Sequence, residues 1–161
     1  MNKRLPWVLI FLGALGSLLA ATPRIENNAV VLDGAIAFKA GTAELAPESG
    51  AALKQLAAFL REKPTFTRVR IEGHVAAPDR AAAQKLSEAR ARAVAAGLVA
   101  LGVECARLLP VGFGSTKPAV APAAAPANTR IEIKIAALRG RAIGGMPEDG
   151  GGAVAGDPCK P

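Results

Sequence analysis

The chain carries few side chains able to do chemistry: one histidine (His74), two cysteines (Cys105 and Cys159) and no tyrosine. A general base needs a partner at recognisable spacing, and His74 has none. At the end of a strand-like run it reads as a residue satisfied by backbone. Ser87 lies two residues after Lys85 with no nucleophile pattern around it. Serine, histidine and aspartate in one chain make no triad without geometry. Gly112-Phe113-Gly114 is a turn signature, too short and badly spaced to cradle a phosphate. A structural zinc needs about four N or S ligands, which the histidine and cysteines do not supply. These residue types argue against an enzyme, a metal site and a cofactor.

Charge recognition remains. Arg90 sits in the helical pattern Leu86-Ser87-Glu88-Ala89-Arg90-Ala91, and Asp79 stands just ahead of that helix. An arginine on a helix is most often solvated. Asp79 suits a helix N-terminus as well as it suits a ligand contact. Asn128 and Arg130 precede a strand and read first as fixtures of loop and strand geometry, with ligand contact as the second reading.

The elements that must position these residues alternate strand and helix. Ala29 to Leu32 and Ala35 to Phe38 predict short strands around a turn at Asp33-Gly34. Pro47-Glu48-Ser49 opens a helix with Leu53, Leu56, Ala57 and Leu60 on one face, ended by Pro64. Arg68 to Gly73 alternates as a strand buried on one face. A second helix runs from about Arg80 to Leu101, with Gly102 placed to terminate it. Leu108 to Phe113 predicts a strand, Thr116 to Ala127 a Pro/Ala-rich loop, and Arg130 to Ile135 a closing strand. The pattern implies an α/β (α+β) sandwich, one mixed sheet with two main helices packed on one face.

Composition fits one globular domain: 161 residues, 51% hydrophobic and 20% charged. Aromatics at 4% remove the stacking platforms of single-stranded nucleic-acid binders, and no nucleic-acid partner is expected. The strands of a membrane β-barrel do not fit beside the two helices. A net charge of +7, two units of it from Lys3 and Arg4, is a mild bias toward anionic surfaces. Residues 1–21 read as a signal peptide, a basic start followed by the uncharged run Leu5 to Ala21. Leu19 stands where a small residue is usual before cleavage, so an uncleaved inner-membrane anchor is the second reading. The run holds no cysteine for lipidation. Residues 24–139 form the domain. Residues 140–161, rich in glycine and proline, predict a flexible tail. In an exported chain Cys159 of that tail pairs either with Cys105 or with another chain.

Three segments carry a family resemblance. They are Ile36-Ala37-Phe38 with Gly41-Thr42-Ala43-Glu44-Leu45 and Pro47-Glu48-Ser49; Ile71-Glu72-Gly73-His74 followed by Leu86-Ser87-Glu88-Ala89-Arg90-Ala91 and Val94; and Gly112-Phe113-Gly114, Pro118 and Asn128-Thr129-Arg130-Ile131-Glu132-Ile133. In this order and spacing, over about Arg24 to Ala137, the chain resembles the OmpA-like domain family. The resemblance implies a βαβαβ-type mixed sheet and a non-catalytic periplasmic or cell-envelope protein, outer-membrane-associated or inner-membrane-anchored. It implies peptidoglycan as partner, through the diaminopimelate side chain of the stem peptide. Outer-membrane or envelope proteins are further partners of this class, and any membrane contact runs through the N-terminal segment if it is uncleaved. That side chain ends in an ammonium and a carboxylate on one carbon, so its receptor needs an acid beside a guanidinium. Arg90 matches the family's arginine. The acid's position, two after the histidine, is Ala76; an asparagine position is Ala83; and the first arginine of an Asn-Arg-Arg motif is Thr129. The stretch from His74 to Leu86 is also about one residue short. The ligand-binding set implied is therefore Arg90, with Asp79 substituting for the missing acid, and with His74, Asn128 and Arg130 nearby. The alternative is a degenerate domain that has lost the ligand and serves as a structural or protein–protein module.

Overall fold

The fold is that of a computed structural model, which describes residues 22–147 and 149–160. The segment read as a signal or anchor, residues 1–21, lies outside the described residues. Among the described residues nine strands and α-helices follow in order: β1 (Arg24–Glu26), β2 (Ala29–Val31), α1 (Ser49–Glu62), β3 (Phe66–His74), α2 (Arg80–Ala100), β4 (Leu108–Gly112), β5 (Arg130–Leu138), β6 (Arg141–Ala142) and β7 (Ala153–Val154). The strands form one sheet in the order β1-β2-β5-β3-β4-β7, with β6 paired to β5. Only β3 and β4 run parallel, and α2 makes the crossover between them, so the sheet is mixed. No helix among the described residues is long and apolar enough to cross a membrane.

One face of the sheet carries the main core. Val69 and Ile71 of β3 lie opposite Ile135 and Ile133 of β5, and Leu108 of β4 lies beside Val69. Leu53, Leu56 and Leu60 of α1 and Ala91, Val94 and Leu98 of α2 pack onto them. Both main helices thus cover one face, as the period-2 and period-3.6 patterns require. Helix α2 sits unusually close. A Cβ on Gly73 would collide with the backbone oxygen of Ser87, and one on Gly112 would lie 2.7 Å from the Glu88 nitrogen and the Ser87 Oγ. Only glycine lets strand and helix backbones meet so nearly.

Three sequence expectations need correction. The first hairpin does not turn at Asp33-Gly34. Strand β2 pairs with β1 around Asn27-Asn28, both at positive φ (47° and 63°). Asparagine tolerates that region, and such a turn matches the strand twist. Ala35 to Phe38 forms no strand beyond the single bridge Phe38–Leu45. Strand β3 is buried on both faces: Arg70 and Glu72, which the alternation puts on the side away from Val69 and Ile71, are buried, as is His74 at its end. The third correction explains the second, for residues 140–160 are no loose tail. After β6 the chain crosses the sheet face opposite the helices, where the Met146 carbonyl accepts from Arg70 Nη1 at 3.2 Å. It then adds β7 to the edge of β4, buries Ala155, and is tied down by a disulfide from Cys105 to Cys159. Glycine at positive φ lets it bend, and an edge strand plus a covalent link offset its ordering entropy.

Candidate functional site

The N-terminal lead of α1 builds one wall of a cleft. Ser49, fully buried, accepts from the Ala37 N–H at 2.8 Å and donates to the Ala37 carbonyl at 2.7 Å. That fixes Ile36, Ala37 and Phe38 against the domain. Helix α2 supplies Arg90 from the facing side, and Thr129, just ahead of β5, and Arg130, its first residue, complete the lining. These six residues line a cleft of about 170 Å³. The Arg90 guanidinium lies over the Phe38 ring, 4.8 Å from its centroid, and its Nε donates to the Thr42 carbonyl at 2.9 Å. Arg90 is only 8% exposed, and burial pushes its guanidinium below its ordinary value. Arginine nevertheless stays charged in proteins. Among the described residues no carboxylate lies within 4.0 Å of it. A buried cation whose contacts are one carbonyl and one ring face is suited to an anion brought from outside.

Arg130 shares the cleft but is already paired. Its Nε and Nη2 both reach Glu132 Oε1 at 2.6 Å, and Lys134 Nζ holds Glu132 Oε2 at 2.8 Å. Asn128 does not line the cleft. Its side-chain amide, buried, accepts from Ala119 and Val120 N–H and donates to the carbonyls of Val120, Pro122 and Ala123, holding the Pro/Ala-rich loop in shape. Asp79 does not line it either. Its Oδ1 accepts from the N–H groups of Ala81 and Ala82 and caps α2. Thr129 Oγ1 accepts from the Ala76 N–H at 2.9 Å, which joins two of the positions where this chain departs from the family pattern.

His74 is 2% exposed, stacked on Phe113 with ring centroids 5.3 Å apart. Among the described residues neither ring nitrogen has a hydrogen-bond partner, and Nε2 lies 3.5 Å from Glu72 Oε2. Glu72, His74 and Glu132 place donor atoms within 4.8 Å of one another. Arg70, 2.6 Å from Glu72, and Arg130 and Lys134 on Glu132 already supply three cations to two carboxylates. A divalent ion would add to that excess, so the cluster reads as a compensated ionic layer beneath the C-terminal segment. Ser87 is equally structural: its hydroxyl donates to the Gln84 carbonyl and accepts from the Gly114 N–H.

The geometry thus brings together Arg90 and Arg130, and leaves Asp79, His74 and Asn128 in supporting positions. Sequence reasoning missed Phe38 and Thr42 as partners of Arg90. Both lie in the first resemblance segment, where an aromatic ahead of a glycine turn was the available signal.

The OmpA family model matches residues 37–132. The chain belongs to the OmpA family. Its OmpA-like fold is shared with solved structures. The OmpA-like domain of FopA1 from Francisella tularensis subsp. tularensis SCHU S4 is 25% identical with a TM-score of 0.55, covering 72% of this chain and 79% of that one. An outer membrane protein from Borrelia burgdorferi B31 is 25% identical with a TM-score of 0.54, covering 72% of this chain and 97% of that one. The peptidoglycan-associated lipoprotein from Burkholderia pseudomallei is 25% identical with a TM-score of 0.52, covering 63% and 86%. No curated protein matches the chain. The matched OmpA segment runs from the Phe38 wall through Arg90 to Arg130 and Glu132, and so contains every cleft residue but Ile36.

Proposed function

We propose that this protein is a non-catalytic module of the cell envelope, facing the periplasm, that holds peptidoglycan by a carboxylate of its stem peptide. Membership of the OmpA family supports this, as does likeness to a lipoprotein named for its association with peptidoglycan. The observation that carries it is Arg90, a guanidinium 8% exposed at the side of a cleft, with no acid paired to it among the described residues. Such a group binds a carboxylate by charge-assisted hydrogen bonds, and burial strengthens each of them. Residues 1–21 act in this reading as the export signal or as a membrane anchor.

Co-sedimentation with purified sacculi tests the reading. Wild type is retained, and Arg90→Ala weakens retention about ten- to hundredfold, the loss expected when one partner of a partly buried charged contact goes. Asp79→Ala should lower stability by about 1 kcal/mol through the lost cap and leave retention unchanged. Equal retention of wild type and Arg90→Ala removes the reading.

Ala76 favours a second reading, since it stands where the resemblance implies an acid and its N–H is used by Thr129. On that reading the domain has lost its ligand and serves as a structural or protein–protein module. Wild type that fails to sediment with sacculi supports it.

A further inference from the structure

Charge around the Arg90 cleft is one-sided. Arg90 and Arg130 line it, and neighbouring acids are committed elsewhere: Glu132 to Arg130 and Lys134, Asp79 to the helix amides, Glu44 to Lys39 and Glu72 to Arg70. Beside the guanidiniums stands Thr129, an uncharged side chain whose hydroxyl oxygen accepts from the Ala76 N–H. That wall is neutral. An ammonium on the carbon bearing the bound carboxylate would leave water there with no counter-charge. An amide nitrogen carries no such cost. The cleft also shares Ile36, Thr129 and Arg130 with a larger groove of about 440 Å³ along β2 and β5, lined in part by Val30, Leu32, Ile131 and Ile133. A substituent on that nitrogen therefore has an apolar trough to lie in.

From this one-sided charge and adjoining trough we infer, resting on the proposed function above, that the site selects the carboxylate of an N-acylated amino acid over that of a free one. Peptidoglycan offers this chemistry from two sources. One is the side-chain centre of diaminopimelate once its amine has been acylated in a crosslink. The other is the C-terminal carboxylate of a stem peptide. In both, an amide nitrogen adjoins the carboxylate-bearing carbon, and the uncharged wall accepts it.

Titration calorimetry of the full chain with three soluble muropeptides tests this. The first has an amidated C-terminus and a free side-chain amine, the second is the same molecule with that amine acetylated, and the third has a free C-terminal acid and an amidated side-chain carboxylate. The second or third should bind at least about tenfold tighter than the first, and which of them does so names the source. Ala76→Asp, checked for folding by urea denaturation, should reverse the order of the first two. Equal affinities, or tighter binding of the free amine by wild type, overturn the selectivity while wall binding stands on sacculus retention. No saturation with any probe also overturns it, and if sacculi are not retained either, the proposed function falls separately.

Discussion

Glu132 sits among charges of both signs and shows which effect wins. Burial alone would raise its carboxyl, but hydrogen bonds from Lys134 and Arg130, with their charges, hold it at about 2 against an ordinary 4.5. A group depressed on folding adds stability that is complete above its unfolded value and is lost as pH falls toward the folded one. Wild type should therefore be more stable than Glu132→Gln at pH 6, with the gap closing between about pH 4.5 and pH 2. Thermal denaturation of both proteins across that range checks this, and a gap independent of pH would show that the pair contributes nothing. Glu72 has the same sign: burial opposes its ionisation, yet His74 and Arg70 hold its carboxyl below the ordinary value. At this scale the sequence was a partial guide. Arg90 was found by motif, because its residue type and spacing on a helix are local facts. Its partners Phe38 and Thr42 were not found, because a contact between distant segments leaves no local period to read.

Elements were more legible than contacts. Both main helices lie where apolar spacing and capping chemistry placed them, with Asp79 at the start of α2 and Gly102, at φ +86°, at its end. Strand β3 was legible as a strand and illegible as to burial, since Arg70, Glu72 and His74 alternate like a solvent face. Mutual pairing of Arg70 and Glu72 makes burial under the C-terminal segment tolerable, which no propensity reports. The seat of α2 on β3 is the feature most sensitive to a single methyl. Gly73→Ala should cost about 1–3 kcal/mol or more in urea denaturation, because the obstruction is backbone and cannot rotate away. It should also weaken sacculus binding, because Arg90 rides on the helix that must lift. Unchanged stability would mean that the helix has slack.

For the molecule as a whole, the C-terminal segment converts an open-faced sandwich into one with a cover on its second side. Composition predicts a tail here because glycine and proline report backbone freedom, not what a disulfide and an edge pairing can impose. Cys159→Ser removes a link across 54 residues and should lower stability by about 2–4 kcal/mol, read from urea denaturation with and without reductant. It should also open the region around Met146 to proteolysis, since Arg70 and Thr116 hold that stretch only by hydrogen bonds to its carbonyls. A variant as stable as wild type would mean that β7 pairing alone secures the cover. The glycine-lined seat of α2 has a bearing on how the protein meets its ligand. A receptor arm mounted on two backbones in touch has nowhere to swing, so under the proposed function capture is that of a key entering a finished lock. Empty and occupied forms should then superpose.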